Sequence, residues 1–151
     1  MPSRLACATL ALALAACSGS APSDPNIPTP DPGDLVVRHY VGMFHAVAHP
    51  GMGNVELSVM ADSSKTLRFQ PDFVTTGGPI LEVWLVAAPD ANDNQTVLDN
   101  ESISLGILKA TSGGQTYVVP KDTDLSKFRA VTVWCVDALV NFTTAPLMLQ
   151  P

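Results

Sequence analysis

Basic residues are scarce in this chain. Eight Lys and Arg stand against fourteen Asp and Glu, a formal net charge of −6. The few cations are scattered rather than gathered into a stripe, so nothing is built to neutralise phosphates, and nucleic acid is excluded as a partner. The same acidity disfavours direct adhesion to anionic lipid. Long apolar runs are also missing: the longest, Leu5–Ala16, falls short of the about 20 residues that cross a bilayer. Cysteine is limited to Cys7, Cys17 and Cys135, which excludes a disulfide framework. Helical periodicity is absent beyond one short turn at Asp122–Phe128. There is no nucleophile elbow and no glycine-rich phosphate loop, and all three histidines crowd into residues 39–49. Hydrolase chemistry therefore finds no support.

What is present begins with an export signal. Residues 1–16 carry one positive residue, Arg4, and then the apolar run, as the h-region of a secretory signal peptide does. The end of the run, Leu14-Ala15-Ala16-Cys17, resembles the bacterial lipoprotein lipobox, which implies cleavage before Cys17 and acylation of that residue. Two or more acyl chains hold a protein stably where one is marginal, since each buried methylene adds about 0.8 kcal/mol. The alternative is an ordinary signal peptide with an incidental Cys17. In either case Cys7 is removed. With Cys17 lipidated, Cys135 is the sole remaining thiol of an exported protein, to be read as free, intermolecular or ligand-bearing. Residues 17–33 then form a lipidated cysteine followed by a proline-rich, disordered tether of at most roughly 50 Å, at ~3.1 Å per residue. The expected location is the bacterial cell envelope, lipid-anchored at the periplasmic face or surface of the outer membrane. Ser18 points to the outer membrane if the Gram-negative sorting rule applies.

From residue 34 to 151 the pattern changes. Val55, Leu57 and Val59 alternate with Glu56 and Ser58, and Leu67 and Phe69 with Thr66, Arg68 and Gln70. Leu81, Val83 and Leu85 share one face, as do Ile103, Leu105 and Ile107; Tyr117–Val119, Ala130–Val136 and Leu147–Leu149 add further short runs. Period-two segments between turn signals such as His49-Pro50-Gly51, Gly77-Gly78-Pro79 and Gly113-Gly114 predict an all-β domain, an antiparallel β-sandwich.

Three sets of residues carry candidate chemistry. Cys135 closes the run Val131-Thr132-Val133-Trp134-Cys135, where a free cysteine packs as a small hydrophobe or serves as a soft ligand. Asp137 nearby and apolar burial would both work against a reactive thiolate. His39, His45 and His49, with Met43 and Met52 alongside, suggest copper, and a blue-copper set could be drawn from His45, His49, Cys135 and Met148. Such sites usually place a histidine between the cysteine and the methionine, and Val136–Leu147 contains none. Asp90, Asn92, Asn94, Thr96 and Glu101 have the one-three-five-seven-twelve spacing of a calcium loop. Gln95 stands where that loop's sharp turn requires glycine, which favours a solvated Asp/Asn-rich connection.

An ordered series of residues carries a resemblance. It runs through Gly42-Met43-Phe44, His49, Gly53, Leu67-Arg68-Phe69, Phe73 and Gly78-Pro79-Ile80-Leu81-Glu82-Val83-Trp84-Leu85. It continues through Leu105-Gly106-Ile107-Leu108-Lys109, Gly114, Tyr117-Val118-Val119-Pro120 and Asp124-Leu125, and ends in Trp134-Cys135, Phe142, Ala145 and Leu147. This resembles the DM-thirteen electron-transfer domain, over roughly residues 35–149. The resemblance implies a sandwich of the jelly-roll or DOMON kind. It also implies a redox role for Cys135, as a bare thiol or as a ligand to a group such as haem, with His49 or a methionine as a second ligand. It further implies a redox partner protein. Ile80, Ala138 and Thr143 depart from the family pattern; the first would remove a polar contact, and the second would open or reshape the surroundings of Cys135. The competing reading is a non-catalytic β-sandwich binding module, free of any cofactor, in which Cys135 is core packing and Trp84 or loop residues make the contacts.

Overall fold

The computed structural model describes Asp31, Gly33 and residues 35–151. The signal segment 1–16, Cys17 and nearly all of the tether lie outside the described residues. The chain forms, in order, β1 (Val36–Met43), β2 (His45–Ala46), β3 (Gly51–Met52), β4 (Asn54–Met60), β5 (Lys65–Phe69), β6 (Val74–Thr75) and β7 (Leu81–Val86). There follow α1 (Asn94–Asp99), β8 (Ser102–Ile107), β9 (Gln115–Val119), β10 (Ala130–Cys135), β11 (Val140–Pro146) and β12 (Met148–Leu149). One five-stranded sheet runs β12-β1-β4-β5-β9, a second runs β2-β11-β10-β7-β8, and β3 pairs with β6. Every pairing is antiparallel. The expected antiparallel sandwich is the fold.

The core lies between the two large sheets. Val55, Leu57, Leu67 and Phe69 of the first sheet and Leu81, Val83, Leu85, Val131 and Val133 of the second belong to one buried cluster. Their period of two is what puts them on the facing sides. Each fully buried Leu, Val or Phe contributes about 1.5–3 kcal/mol of transfer free energy. Phe44, Phe69 and Phe73 pack with centroids 4.6–5.0 Å apart and thicken this core at one end.

Two local departures from the sequence pattern have clear causes. Ile107 does not share a face with Ile103 and Leu105. The register between β7 and β8 shifts between Glu82 and Trp84, and Gly106 takes φ +105°. A glycine-bearing bulge of this kind turns the following side chain over. Ile107 consequently lies opposite Glu82 and is 67 % exposed. The other departure is α1, which occupies part of the expected irregular connection. Asp93 caps it, its side chain accepting from Thr96 N at 2.7 Å.

All six residues of β10 are buried, although their side chains alternate between faces. The reason is a second, smaller core on the outer side of the sheet, built from Val86, Ala88, Ala91, Val97, Ala130 and Trp134, with α1 supplying Val97. Asn141 stitches this layer down. Its Nδ2 donates to Ala91 O at 2.7 Å, its Oδ1 accepts from Thr132 Oγ1, and its backbone N donates to Asn94 Oδ1 at 2.7 Å. Among the described residues no helix is long and apolar enough to cross a membrane.

Candidate functional site at the end of the second sheet

Cys135 is the last residue of the central strand β10, 1 % exposed and part of the main core. It is the one free cysteine among the described residues. Its cross-strand partners are Leu81 on β7 and Val140 on β11, both apolar. Leu81 in turn borders a surface cavity of about 360 Å³ formed by residues 77–81 and 107–111. Cys135 is thus one strand spacing, about 4.8 Å, from a residue that faces a cavity. The loop before Leu81 closes tightly over this end. A side chain at Gly78 would begin 2.8 Å from Phe142 Cζ and 3.0 Å from Leu81 Cδ2.

The outside of this end is apolar. Ile80, Ile107 and Leu139 are all more than two-fifths exposed and belong to neighbouring strands or the turns that join them. Val136 N donates to Ile80 O at 3.0 Å, which ties the start of the β10–β11 turn to the loop before β7. Leu139 in that turn has φ +53°, a left-handed conformation that a bulky side chain adopts only under strain. On the outer face of the same sheet Trp84 stacks on Trp134, ring centroids 5.6 Å apart. Trp84 Nε1 and Ser104 Oγ both donate to Glu82 Oε2 at 2.7 Å. The Ser104 bond first, and then the Trp84 bond, hold the Glu82 carboxyl below its ordinary range. Trp134 Nε1 is buried with no hydrogen-bond partner among the described residues.

The histidines are placed apart from the sulfur's immediate partners. His49 stacks on Phe142, centroids 3.8 Å apart, and its backbone N donates to Phe142 O. His45 Nε2 lies 3.1 Å from both carboxylate oxygens of Asp90. His39 faces Glu56 at 3.6 Å, and Met148 stands 57 % exposed on the edge strand β12. Among the described residues no three His, Cys, Asp or Glu side chains gather closely enough to hold a metal ion. The copper set of His45, His49, Cys135 and Met148 is therefore dispersed over the core, the surface and a sheet edge.

The oxygens of the calcium-loop candidate are largely engaged elsewhere. Asp90 serves His45 and its own neighbour Ala91 N, and the Asn94 side chain accepts from Asn141 N. Thr96 O accepts from Asn100 Nδ2 at the C-terminal end of α1. The segment spends its polar groups on capping a short helix and fastening it to β11, with Asn92 beside it in the loop. A haem does not fit beside Cys135 as this end is packed. The sulfur sits within the core between Leu81 and Val140, and the neighbouring cavity at residues 77–81 and 107–111 does not include Cys135 in its wall.

The departures from the family pattern now have surroundings. Ile80 is part of the exposed apolar rim, and Ala138 lies in the β10–β11 turn. Thr143 is fully buried, and its hydroxyl donates to His45 O at 2.6 Å, which anchors β2 to β11. Sequence reasoning passed over Asn141 and the Trp84–Trp134 stack. An asparagine inside the β-run of residues 140–146 was the available signal, because a buried amide there requires partners.

A family model described as Electron transfer DM13 matches residues 43–147, well over half of the chain, and the protein belongs to that family. No curated protein and no solved structure gives a match.

Proposed function

We propose that this chain is a lipid-anchored electron-transfer module of the bacterial cell envelope, with Cys135 as its redox residue. Membership of the electron-transfer family over residues 43–147 is the observation that carries this reading. The sequence at 14–17 supports the anchor, through acylation of Cys17, and the proline-rich stretch after it supports a tether that reaches a redox partner protein. The packing favours a bare thiol over a haem ligand. A haem ligated by Cys135 and His49 would require the loop at Gly78 to swing away and Leu81 and Phe142 to part. The cavity bordered by Leu81, the cross-strand partner of Cys135, offers an electron acceptor a place to approach.

A second reading is favoured by the burial of Cys135, namely a β-sandwich binding module in which the sulfur is packing. One experiment separates the two. The chain from residue 18 onward is purified, its absorption and metal content are recorded, it is titrated with haem, and its voltammetric response is compared with that of Cys135→Ala. A reversible electron-transfer wave that disappears in the folded variant supports the first reading. A colourless protein that leaves haem unbound, gives no wave and has a thiol unreactive until denatured supports the second.

A further inference from the structure

The outer face of the second sheet carries both tryptophans of the chain, in contact with each other. Trp84 on β7 lies opposite Thr132 and Trp134 on β10 lies opposite Glu82, so the two indoles meet diagonally across the strand pair. Their centroids are 5.6 Å apart with 29° between the ring planes, a stacked arrangement in which the π systems touch. The two nitrogens are placed differently. Trp134 is fully buried, and its Nε1–H has no hydrogen-bond acceptor among the described residues. Trp84 is half-buried, and its Nε1–H donates to Glu82 Oε2 at 2.7 Å. Ser104 Oγ donates to that same oxygen from β8 at 2.7 Å, which fixes the carboxylate over the indole nitrogen. One indole of the stack therefore has a base on its N–H, and the other has none.

We propose that the Trp84–Trp134 stack is a redox station in which loss of an electron is coupled to proton transfer from Trp84 Nε1 to Glu82. This rests on the electron-transfer reading of the chain but not on Cys135 as its redox residue. An indole N–H is hardly acidic, whereas the radical cation left when an indole gives up one electron is about as acidic as a carboxylic acid. A carboxylate already within hydrogen-bond reach takes that proton without rearrangement. A one-electron oxidant, such as an Fe(III) or Cu(II) centre of a partner protein, removes an electron from the stack. The Nε1–H bond of Trp84 breaks, an O–H bond forms at Glu82 Oε2, and a neutral indolyl radical stands beside a carboxylic acid. An electron from a one-electron reductant sends the proton back and restores both groups. The Ser104 hydroxyl, then the Trp84 N–H, hold the Glu82 carboxyl below its ordinary range, so the acceptor is charged at neutral pH. Trp134 has no such acceptor, and the electron vacancy it shares settles on Trp84. Trp84 is also the end that an oxidant reaches, while Trp134 lies inside the sheet, one residue before Cys135.

Flash photolysis of the full chain with photogenerated tris(bipyridine)ruthenium(III) as the oxidant tests the proposal. Transient absorption separates the neutral indolyl radical from its protonated cation. The parent is expected to give the neutral radical, formed with a solvent deuterium isotope effect. Glu82→Gln keeps an oxygen that accepts a hydrogen bond but takes no proton. It is expected to slow the oxidation several-fold, remove the isotope effect and give the cation first. Trp84→Phe is expected to abolish the neutral radical and leave only a short-lived cation on Trp134. Thermal unfolding checks that each variant is folded. A parent that gives no indolyl radical overturns the proposal. So does a neutral radical that persists in Trp84→Phe, or one that forms in Glu82→Gln at the parent's rate and with its isotope effect. The radical is expected in Cys135→Ala as in the parent, so a redox-inert sulfur leaves the tryptophan step standing, and a voltammetric wave carried by Cys135 does not rescue a missing radical.

Discussion

Replacing Cys135 by serine exchanges a thiol for a hydroxyl at a position that is 1 % exposed, between Leu81 and Val140. The hydroxyl prefers water far more than a thiol does, and its cross-strand neighbours offer no polar side chain. An unsatisfied buried hydroxyl costs about 1–3 kcal/mol. Cys135→Ala removes one heavy atom without introducing a polar one, so its penalty is the lost transfer and packing of the sulfur, about 1 kcal/mol by comparison with single-methylene deletions. Cys135→Val adds one heavy atom but no polar one, and is expected to cost about 1 kcal/mol, the low end of overpacking. The order of stability is therefore parent, then valine and alanine, with serine lowest. With a urea slope of about 1–3 kcal/mol/M, serine lowers the unfolding midpoint by roughly 1 M. Trp84 and Trp134, stacked on the outer face of the same sheet, supply the fluorescence signal. If serine proves as stable as valine, the sulfur is not in an apolar shell and the packing argument fails. The ranking also decides which variant is a fair control for function: loss of an electron-transfer signal in the serine variant would mix chemistry with unfolding, whereas loss in a folded alanine variant would not.

Three further outcomes follow from the same geometry. Asn141→Ala strips the hydrogen bond from Ala91 O and leaves a void, while Thr132 Oγ1 keeps Thr143 O as an acceptor; about 2–4 kcal/mol of stability should be lost in urea unfolding, with the α1 region exchanging its amide hydrogens fastest. Gly53→Ala places a side chain at φ +110° with its Cβ 2.4 Å from Phe73 Cα, so the chain should unfold at a clearly lower temperature or fail to accumulate folded. Asp62 is held at a pKa of about 2 against an ordinary 3.8, first by the Ser64 hydroxyl and backbone and then by Lys121. A carboxyl depressed in the folded state adds stability above its unfolded pKa and loses it as pH falls through the folded value. Asp62→Asn should therefore flatten the fall in stability between pH 3.8 and about 2, read from thermal midpoints across that window, and an unchanged slope would remove the assignment.

Alternation of apolar residues was legible because it is written in neighbouring positions. The run Val55, Leu57, Val59 became the buried face of β4, Asn54–Met60. Leu81, Val83 and Leu85 did the same for β7. The period breaks only where a backbone conformation intervenes, as at Gly106. A leucine-rich run with a glycine near its end carries both a continuous strand and a bulge, and the choice rests on the partner strand. The expected short turn at Asp122–Phe128 is present, closed by the backbone N–H groups of Lys127 and Phe128 on Asp124 O.

The sites were less legible because their contacts join distant segments. Asp90, read as a calcium ligand by its spacing, is claimed by His45, forty-five positions away, and Asn94 by Asn141, forty-seven positions away. A loop's polar residues advertise the same ligand types whether they will hold an ion or fasten a helix, and only the partner tells which. Cys135 shows the same limit from the other side. Its strand alternates in sequence, with Thr132 and Trp134 on the face opposite the sulfur. The small core under α1 dries that face, since it buries Trp134 and satisfies Thr132 through Asn141. The cysteine therefore ends a strand covered on both sides, and its cross-strand partner Leu81, rather than the sulfur itself, borders the cavity at residues 77–81 and 107–111.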